Sequence, residues 1–313
     1  MANKKFKAIA AASMAAVMMV ALVGCGKPTP KKLADVAVKE FQAEELKVED
    51  LEDLDEGDAQ HLDDGFVLHG TGEELEDQYE DEIEKYEEEL EEGMKAAEND
   101  GVDIEDALTF DPTDWGVEDL GEFTVYVMAD GVAKPESDLL VQGAAVIEFT
   151  DKEKANELMA DLGEKFVEDS EIEVKNLNKG EFVYSKNKFQ FIMTGDGDEL
   201  AELAGDFLAA MLETSDSSDE EAKHHKEEIK EMKKEIKEEV ENLQYTLGIY
   251  YNNGTLTIIC GVTMDDELDQ ISQLAKALGV KDPLTVEMSD EMHEAIINYM
   301  VESAEGTDID KYI

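Results

Sequence analysis

The chain has 313 residues, of which 80 are acidic and 27 are basic, and its formal charge is −53. All the basic residues are lysines, so the bidentate contacts that arginine makes with carboxylates and phosphates are excluded. A surface this acidic repels phosphate backbones, which excludes most nucleic-acid binding, while an apolar fraction of 42% is sufficient for a folded core.

The first segment of the chain is basic and then apolar. Lys4, Lys5 and Lys7 precede a run from Ala8 to Val23 that is interrupted only by Ser13. This order is typical of a secretion signal, and the run is shorter than the roughly 20 residues that a membrane-crossing helix needs. We therefore expect residues 1–24 to be a signal peptide.

Leu22, Val23, Gly24 and Cys25 end this apolar run. The four residues resemble the lipobox of bacterial lipoproteins. The resemblance implies that the Cys25 thiol receives a diacylglyceryl group and that cleavage makes Cys25 the first residue of the mature chain. It also implies an extracytoplasmic, cell-surface location, with membrane lipid as a partner at the outer face of the cytoplasmic membrane. The alternative is an ordinary signal peptide that contains a cysteine.

Lys27, Lys31 and Lys32 follow Cys25 closely, with Pro28 and Pro30 stiffening the stretch. Two acyl chains hold a protein on a membrane lastingly, and lysines beside anionic headgroups add about 1 kcal/mol each. We interpret these lysines as a membrane-proximal basic tether. A solvated tether without lipid contact is the alternative.

The charge distribution suggests the domain organisation. We expect residues 25–60 to form the lipidated N-terminus and an acidic linker, 61–119 an acidic helical region, and 120–313 an α+β domain. Residues 44–119 contain 33 acidic residues and only three lysines. A solvated acidic surface explains this excess; a basic protein partner or weakly bound divalent cations would explain it as well.

Before residue 120 the patterns predict mostly helix. A weak helix is expected over 31–46 and a short strand over 65–69. Thr71 begins a strongly acidic helix that extends to about Ala97, because its apolar residues recur at spacings of three and four. An amphipathic helix with this stripe must pack against another element.

After residue 120, alternating strands and capped helices follow one another. Asn253-Gly254 predicts a hairpin turn, and Asp151 is expected to cap a helix. Strand-to-helix junctions recur at Asp151, Asp196 and Asp265. Strands are expected over 123–127, 144–149, 172–177, 182–185, 189–193 and 245–251, with a return strand that ends near Val262. Helices are expected after each of the three junctions, over about 219–243, and from Asp290 onward.

These elements predict an α+β fold. Hairpins followed by helices do not produce the parallel crossovers of nucleotide-binding sheets. We expect an antiparallel sheet built from about three hairpin-plus-helix (ββα) units, with helices on one face. The long acidic amphipathic helices, including the inserted one over about 219–243, would pack alongside.

Searches for catalytic and metal-binding patterns fail. His293-Glu294 begins like a zinc-protease helix, but Ile297 occupies the position of the second histidine. His224 and His225 are adjacent and cannot bind one metal as an i, i+4 pair would. Residues 99–106 and 195–199 have a calcium-like composition without the spacing of a calcium loop.

Two further features favour structural roles. Gly195-Asp196-Gly197 opens a helix after a strand but carries acids and no lysine, so it predicts a helix cap and not a phosphate loop. Cys260 is in phase with aliphatic residues of a strand and is expected to be a buried, unreactive thiol. Tyr79, Tyr86, Tyr250 and Tyr251 are the first candidates for an exposed aromatic patch, although core packing is expected for at least half of them.

The sequence therefore predicts a lipid-anchored extracytoplasmic protein that acts by protein interaction or as a structural element. We expect no catalytic centre, no cofactor and no specific metal site. A solute-binding lipoprotein of a transporter and a cell-surface hydrolase remain as alternatives.

Overall fold

The computed structural model describes residues 28–49, 65–79, 116–130, 140–172, 180–214, 242–263 and 268–304, together with Lys234, Lys237 and Val240. Residues 72–79 are helical, and single 3-10 turns lie at Val117–Asp119 and Pro283–Thr285. The other elements, in chain order, are α1 (Pro30–Glu40), β1 (Glu44–Lys47), β2 (Phe66–Thr71), β3 (Leu120–Asp130), β4 (Leu140–Phe149), α2 (Lys152–Asp169), β5 (Phe182–Ser185), β6 (Lys188–Asp196), α3 (Gly197–Thr214), β7 (Gln244–Asn252), β8 (Thr255–Thr263), α4 (Asp269–Leu278) and α5 (Asp290–Ala304).

The strands form one eight-stranded sheet in the order β1-β2-β3-β4-β8-β7-β6-β5. All neighbouring pairs are antiparallel except β1 and β2, which are parallel. The α+β class and the mainly antiparallel sheet are therefore confirmed. The sheet is mixed, however, and β1 and β2, which precede the predicted boundary at residue 120, belong to it.

The predicted helix over 31–46 ends earlier than expected. Phe41 caps α1 by donating its backbone N–H to the carbonyl of Ala37, and Gln42 then adopts a left-handed φ of 58°. That conformation cannot continue a helix. The chain turns, and Glu44–Lys47 becomes an edge strand beside β2.

Helices cover both faces of the sheet, so the expectation of helices on one face is wrong. On the first face, the α1 face, Phe41 stacks on Tyr126 with ring centroids 5.6 Å apart, and Leu268 and Ile271 of the α4 region approach Gly261. On the second face, the α2 face, Phe166 of α2 packs against several aromatic rings; these are Phe182, Phe191 and Tyr299.

The central strands show why two layers of helices are needed. Ala144, Ala145, Val146 and Ile147 are consecutive in β4 and all buried, as are Ile258 and Ile259 in β8. Successive side chains of a strand point to opposite faces, so both faces of these strands carry apolar surface. Each face must therefore be covered.

Several local predictions are confirmed. Asp151 accepts hydrogen bonds from the backbone N–H groups of Glu153 and Lys154 at the start of α2. Asn253 and Gly254 have φ values of 50° and 88°, as a tight hairpin turn of the primed type requires. Strands β3 to β8 overlap the predicted ones, and α5 begins at Asp290 as expected.

Other predictions lie outside the described residues. These are the signal peptide over 1–24, most of the strand over 172–177, the acidic helix beyond Tyr79, most of the helix over 219–243, Tyr86, His224, His225 and Asp265.

Candidate functional site

The predicted anchor lies at the edge of what the structure describes. Leu22, Val23, Gly24, Cys25 and Lys27 all precede Pro28, the first described residue. Pro28 and Pro30 are buried. The Thr29 hydroxyl accepts a hydrogen bond from the backbone N–H of Lys32 at 3.2 Å, which caps the first turn of α1.

Helix α1 is bound firmly to the fold from its first turn. Leu33 and Ala37 have no exposed surface, and Val36 retains 8% of its own. These residues belong to the same hydrophobic core as Val146 and Ile259 of the central strands. The folded body therefore begins within the first few residues of the described chain.

The structure gives Lys31 and Lys32 different environments. The Lys32 ammonium donates to the carbonyl oxygen of Leu278 at 3.0 Å, where α4 ends at the left-handed Gly279. The last carbonyls of a helix carry partial negative charge, so a lysine there is favourable. Lys31, in contrast, is exposed. Lys32 thus ties α1 to α4, a role that the sequence did not reveal because the two residues are 246 positions apart.

A groove of about 620 Å³ runs between α1 and the edge of the sheet. Its charged lining residues are Lys31, Asp35, Lys39, Glu45, His69, Glu74 and Glu122. Sequence analysis singled out only Lys31 among them, because the others come together only when β1 pairs with β2, β2 pairs with β3, and α1 packs beside these strands. The strand β1 and its parallel pairing with β2 were not predicted, so no sequence pattern indicated that these charged residues would be neighbours.

Most of these charged groups are already engaged with one another. The Lys39 ammonium lies 2.5 Å from an Asp35 oxygen, and His69 Nε2 lies 3.0 Å from a Glu45 oxygen. Glu74 accepts from the backbone N–H of Thr71 at 2.8 Å as part of a helix cap. The hydrogen bond from Lys39, followed by its charge, lowers the pKa of the Asp35 carboxyl, so Asp35 stays ionised and is a poor proton donor.

A second, smaller groove of about 360 Å³ lies near the start of α3. Asp196 lines it, and its carboxylate accepts from the backbone N–H of Glu199 at 2.9 Å, while Glu199 accepts from the backbone N–H of Asp196 at 3.3 Å. This reciprocal pair is a capping box. The helix-cap interpretation of Gly195-Asp196-Gly197 is therefore confirmed, and two of the carboxylates that resembled calcium ligands serve the helix instead.

Of the remaining candidate groups, Tyr250 and Tyr251 are buried, whereas Cys260, which was predicted to be buried, and His293 are partly buried. Burial raises the pKa of the Cys260 thiol, which keeps it protonated and weakly nucleophilic. Tyr250 and Tyr251 have no exposed surface, and burial raises the pKa of Tyr251 to about 12. These two tyrosines therefore cannot form an exposed aromatic patch. Because they are consecutive in β7, their side chains are buried on opposite faces of the sheet. His293 is partly buried, with Nε2 3.9 Å from an Asp206 oxygen.

Two surveys of the described residues concern possible ligands and membranes. Among them, no group of three or more His, Cys, Asp or Glu side chains is arranged to hold a metal ion. Within the same ranges, no helix combines the length and the apolar character needed to cross a membrane.

Comparisons with models of protein families, with curated proteins and with solved structures return no match.

Proposed function

We propose that this protein is a lipoprotein, anchored through Cys25 at the outer face of a bacterial cytoplasmic membrane, and that it acts there by binding or structural contact and not by catalysis. The observation that carries the proposal is the position at which the fold begins. Pro28 is buried and Thr29 caps α1, so only Gly26 and Lys27 separate Cys25 from the folded body. Three residue steps span at most about 11 Å.

A tether this short supports an anchoring role. Lipid attached to Cys25 would hold α1, and through its buried residues the centre of the sheet, next to the membrane. The Lys32–Leu278 hydrogen bond adds α4 to the same rigid unit. The anchor would then limit the distance between the whole folded body and the membrane. A protein that acts at the membrane surface needs such a limit.

The chemistry of the larger groove supports binding over catalysis. A general acid or base needs a pKa close to the working pH, which burial or a neighbouring charge must produce. Asp35 is shifted the other way, toward its ionised form, by Lys39. Glu45 and Glu74 are engaged by His69 and by a backbone N–H group.

The dimensions of this groove favour a second candidate, a solute-binding lipoprotein. Its volume of about 620 Å³ lies within the range of about 300–1,000 Å³ of small-molecule sites. A bound solute would raise the melting temperature by mass action. A thermal-shift screen with peptides, sugars and cations, repeated with Glu45→Gln, would distinguish this candidate; a shift that the variant loses would favour solute binding.

We propose the finer architecture on the basis of chain order. The hairpins β3–β4, β5–β6 and β7–β8 are followed by α2, α3 and α4, which is the order of three ββα units. The inserted acidic segment would pack beside α3, because Lys237 lies 2.8 Å from an Asp198 oxygen. The three units share the chain order of a hairpin followed by a helix. They differ in geometry, because α4 covers the face of the sheet opposite to the one that α2 and α3 cover.

Metabolic labelling tests the anchor. Cells of a bacterial host that express the full chain are supplied with labelled palmitate, and the chain is isolated from the membrane fraction. The wild-type chain is expected to carry label, Cys25→Ala to carry none, and Cys260→Ala, the matched control at the other cysteine, to carry the wild-type amount. Label that persists in Cys25→Ala, or an unlabelled wild-type chain, would overturn the proposal.

A further inference from the structure

One wall of the larger groove is helix α1, and this wall is positive. Lys31, Asp35 and Lys39 line it and recur every four residues, so they follow one side of the helix at intervals of about 6 Å. The hydrogen bond and the charge of Lys39 lower the pKa of the Asp35 carboxyl, and the charge of Lys31 adds to this shift. Both lysines therefore lie near Asp35, and two positive charges face one negative charge.

The other wall is the edge of the sheet, and this wall is negative. Glu45, His69 and Glu122 line it, and the pairing of β1, β2 and β3 directs their side chains to the face that α1 covers. Glu74, three residues after β2, lines the groove as well. The three glutamates outnumber His69, so this wall stays negative whether or not the imidazole is protonated.

Each wall contributes one charged group that the protein does not pair. Among the described residues, neither the Lys31 ammonium nor the Glu122 carboxylate forms a hydrogen bond or an ion pair. Both side chains are exposed. The other charged groups of the groove are engaged in the ion pairs and the helix cap described above. A ligand in this groove therefore meets one free cation on the helix and one free anion on the sheet.

The surface between the two walls is largely apolar. Ala34 and Val38 of α1 and Phe123 of β3 line it. Thr124 is the register partner of His69, so its side chain lies on the same face beside this lining residue. Thr124 is 1% exposed, and among the described residues its hydroxyl has no hydrogen-bond partner. The groove thus combines aliphatic and aromatic surface with an unused polar group.

We infer that the larger groove binds a small zwitterion, a free amino acid or a short peptide, with its carboxylate at Lys31 and its ammonium at Glu122. The inference rests on the second function proposed above, a solute-binding lipoprotein, and names the class of solute. Both contacts are charge-assisted hydrogen bonds, which are stronger than neutral ones. A ligand with one charge would leave the other free group without a partner, and a sugar would pair with neither charge. The apolar surface between the walls favours an aliphatic side chain.

Calorimetric titration with blocked and unblocked compounds tests this class. The full chain is purified from bacterial membranes in detergent and titrated with leucine and with leucyl-leucine. Each compound is compared with its N-acetyl form, which lacks the ammonium, and with its amide form, which lacks the carboxylate. Leucine or leucyl-leucine should bind saturably, and each blocked form of that compound should bind about tenfold more weakly. The compound that binds more tightly identifies the source, an amino acid or a peptide.

Two variants locate the two ends of the ligand. Lys31→Met should weaken binding of the unblocked compound about tenfold and remove its advantage over the amide form, because the carboxylate then has no partner to lose. Glu122→Gln should likewise remove the advantage over the N-acetyl form. Lys276→Met and Glu157→Gln change exposed residues outside the groove, and these matched controls should bind as the wild-type chain does.

The inference is overturned if neither leucine nor leucyl-leucine binds, if the blocked forms bind equally well, or if Lys31→Met and Glu122→Gln leave the affinity unchanged. The thermal-shift screen distinguishes this failure from that of the broader function. A sugar or a metal cation that raises the melting temperature of the wild-type chain but not of Glu45→Gln would retain solute binding and exclude the zwitterion. A screen without any such shift, together with titrations without binding, would overturn both.

Discussion

The two faces of the sheet are both covered, but they are covered in different ways. On the α1 face, two helices from opposite ends of the chain meet over fully buried strand residues, and the Lys32–Leu278 hydrogen bond joins them. On the α2 face, α2 and α5 pack through an aromatic cluster around Phe166. Several α2-face residues nearby, including Leu247 and Ile249, are only partly buried. The α1 face, next to which lipid on Cys25 would be attached, thus has the more completely buried side chains.

Truncating one isoleucine on each face tests this comparison, and of the changes predicted here it should have the largest effect on the free energy of unfolding. Ile259→Ala, on the α1 face, removes a side chain with no exposed surface and should lower the free energy of unfolding by about 3–4 kcal/mol. Ile249→Ala, on the partly exposed α2 face, should cost about 1–2 kcal/mol. Urea unfolding measures both, and equal losses would contradict the difference between the faces.

Removing the contact between Glu181, just before β5, and Ser289, just before α5, should have the next largest effect on the free energy of unfolding. Glu181 has no exposed surface, and it accepts from the backbone N–H of Ser289 at 2.5 Å and from its hydroxyl at 3.3 Å, just before α5. Glu181→Ala should lower the free energy of unfolding by about 2 kcal/mol, because it leaves the partly buried N–H and hydroxyl donors of Ser289 without their acceptor. The exposed Glu157→Ala on α2 is the control, with an expected change below about 0.5 kcal/mol. A similar change in both variants would show that Glu181 does not fix α5.

A smaller effect separates the two tether lysines on the α1 face. Lys32→Met keeps most of the side-chain stem but loses the hydrogen bond to Leu278, and should cost about 1–2 kcal/mol. Lys31→Met, at the adjacent exposed position, should change stability by less than about 0.5 kcal/mol. Indistinguishable urea midpoints for the two variants would mean that the α1–α4 bond contributes nothing.

The smallest predicted effect depends on pH and lies on the α2 face. Burial raises the pKa of Asp169 at the end of α2, with Lys165 opposing and Glu168 reinforcing the shift. The unfolded chain therefore ionises first as pH rises, and this residue costs stability at neutral pH but not below its ordinary pKa of 3.8. Asp169→Asn should melt slightly higher than wild type at neutral pH and equally at about pH 3. A gain that persists in acid would contradict this origin.

Local signals predicted the elements better than their arrangement. The Asn253-Gly254 turn, the Asp151 cap and strands β3 to β8 follow from short patterns and were found. The edge strand β1 was missed because Glu44–Lys47 is polar and continues the composition of a helix; its strand state depends on pairing with β2. The helices on both faces could have been predicted, because Ala144–Ile147 is an unbroken apolar run and not an alternating one.

The candidate site was less predictable than the fold. Cys25 and its neighbours stand out in sequence because a lipobox is a contiguous motif. The larger groove joins charged residues from α1, β1, β2 and β3, which are far apart in the chain. Only the register of the sheet and the packing of α1 bring them together.

The central claim is that lipid on Cys25 holds this body at the membrane, and the mass of the N-terminal peptide tests it most directly. The full chain is expressed in a bacterial host, extracted from membranes with detergent, digested, and analysed by mass spectrometry. The account predicts that the chain begins at Cys25 and that this residue carries the added mass of a diacylglyceryl group. A chain that begins at Met1, or a Cys25 with a free thiol, would contradict it.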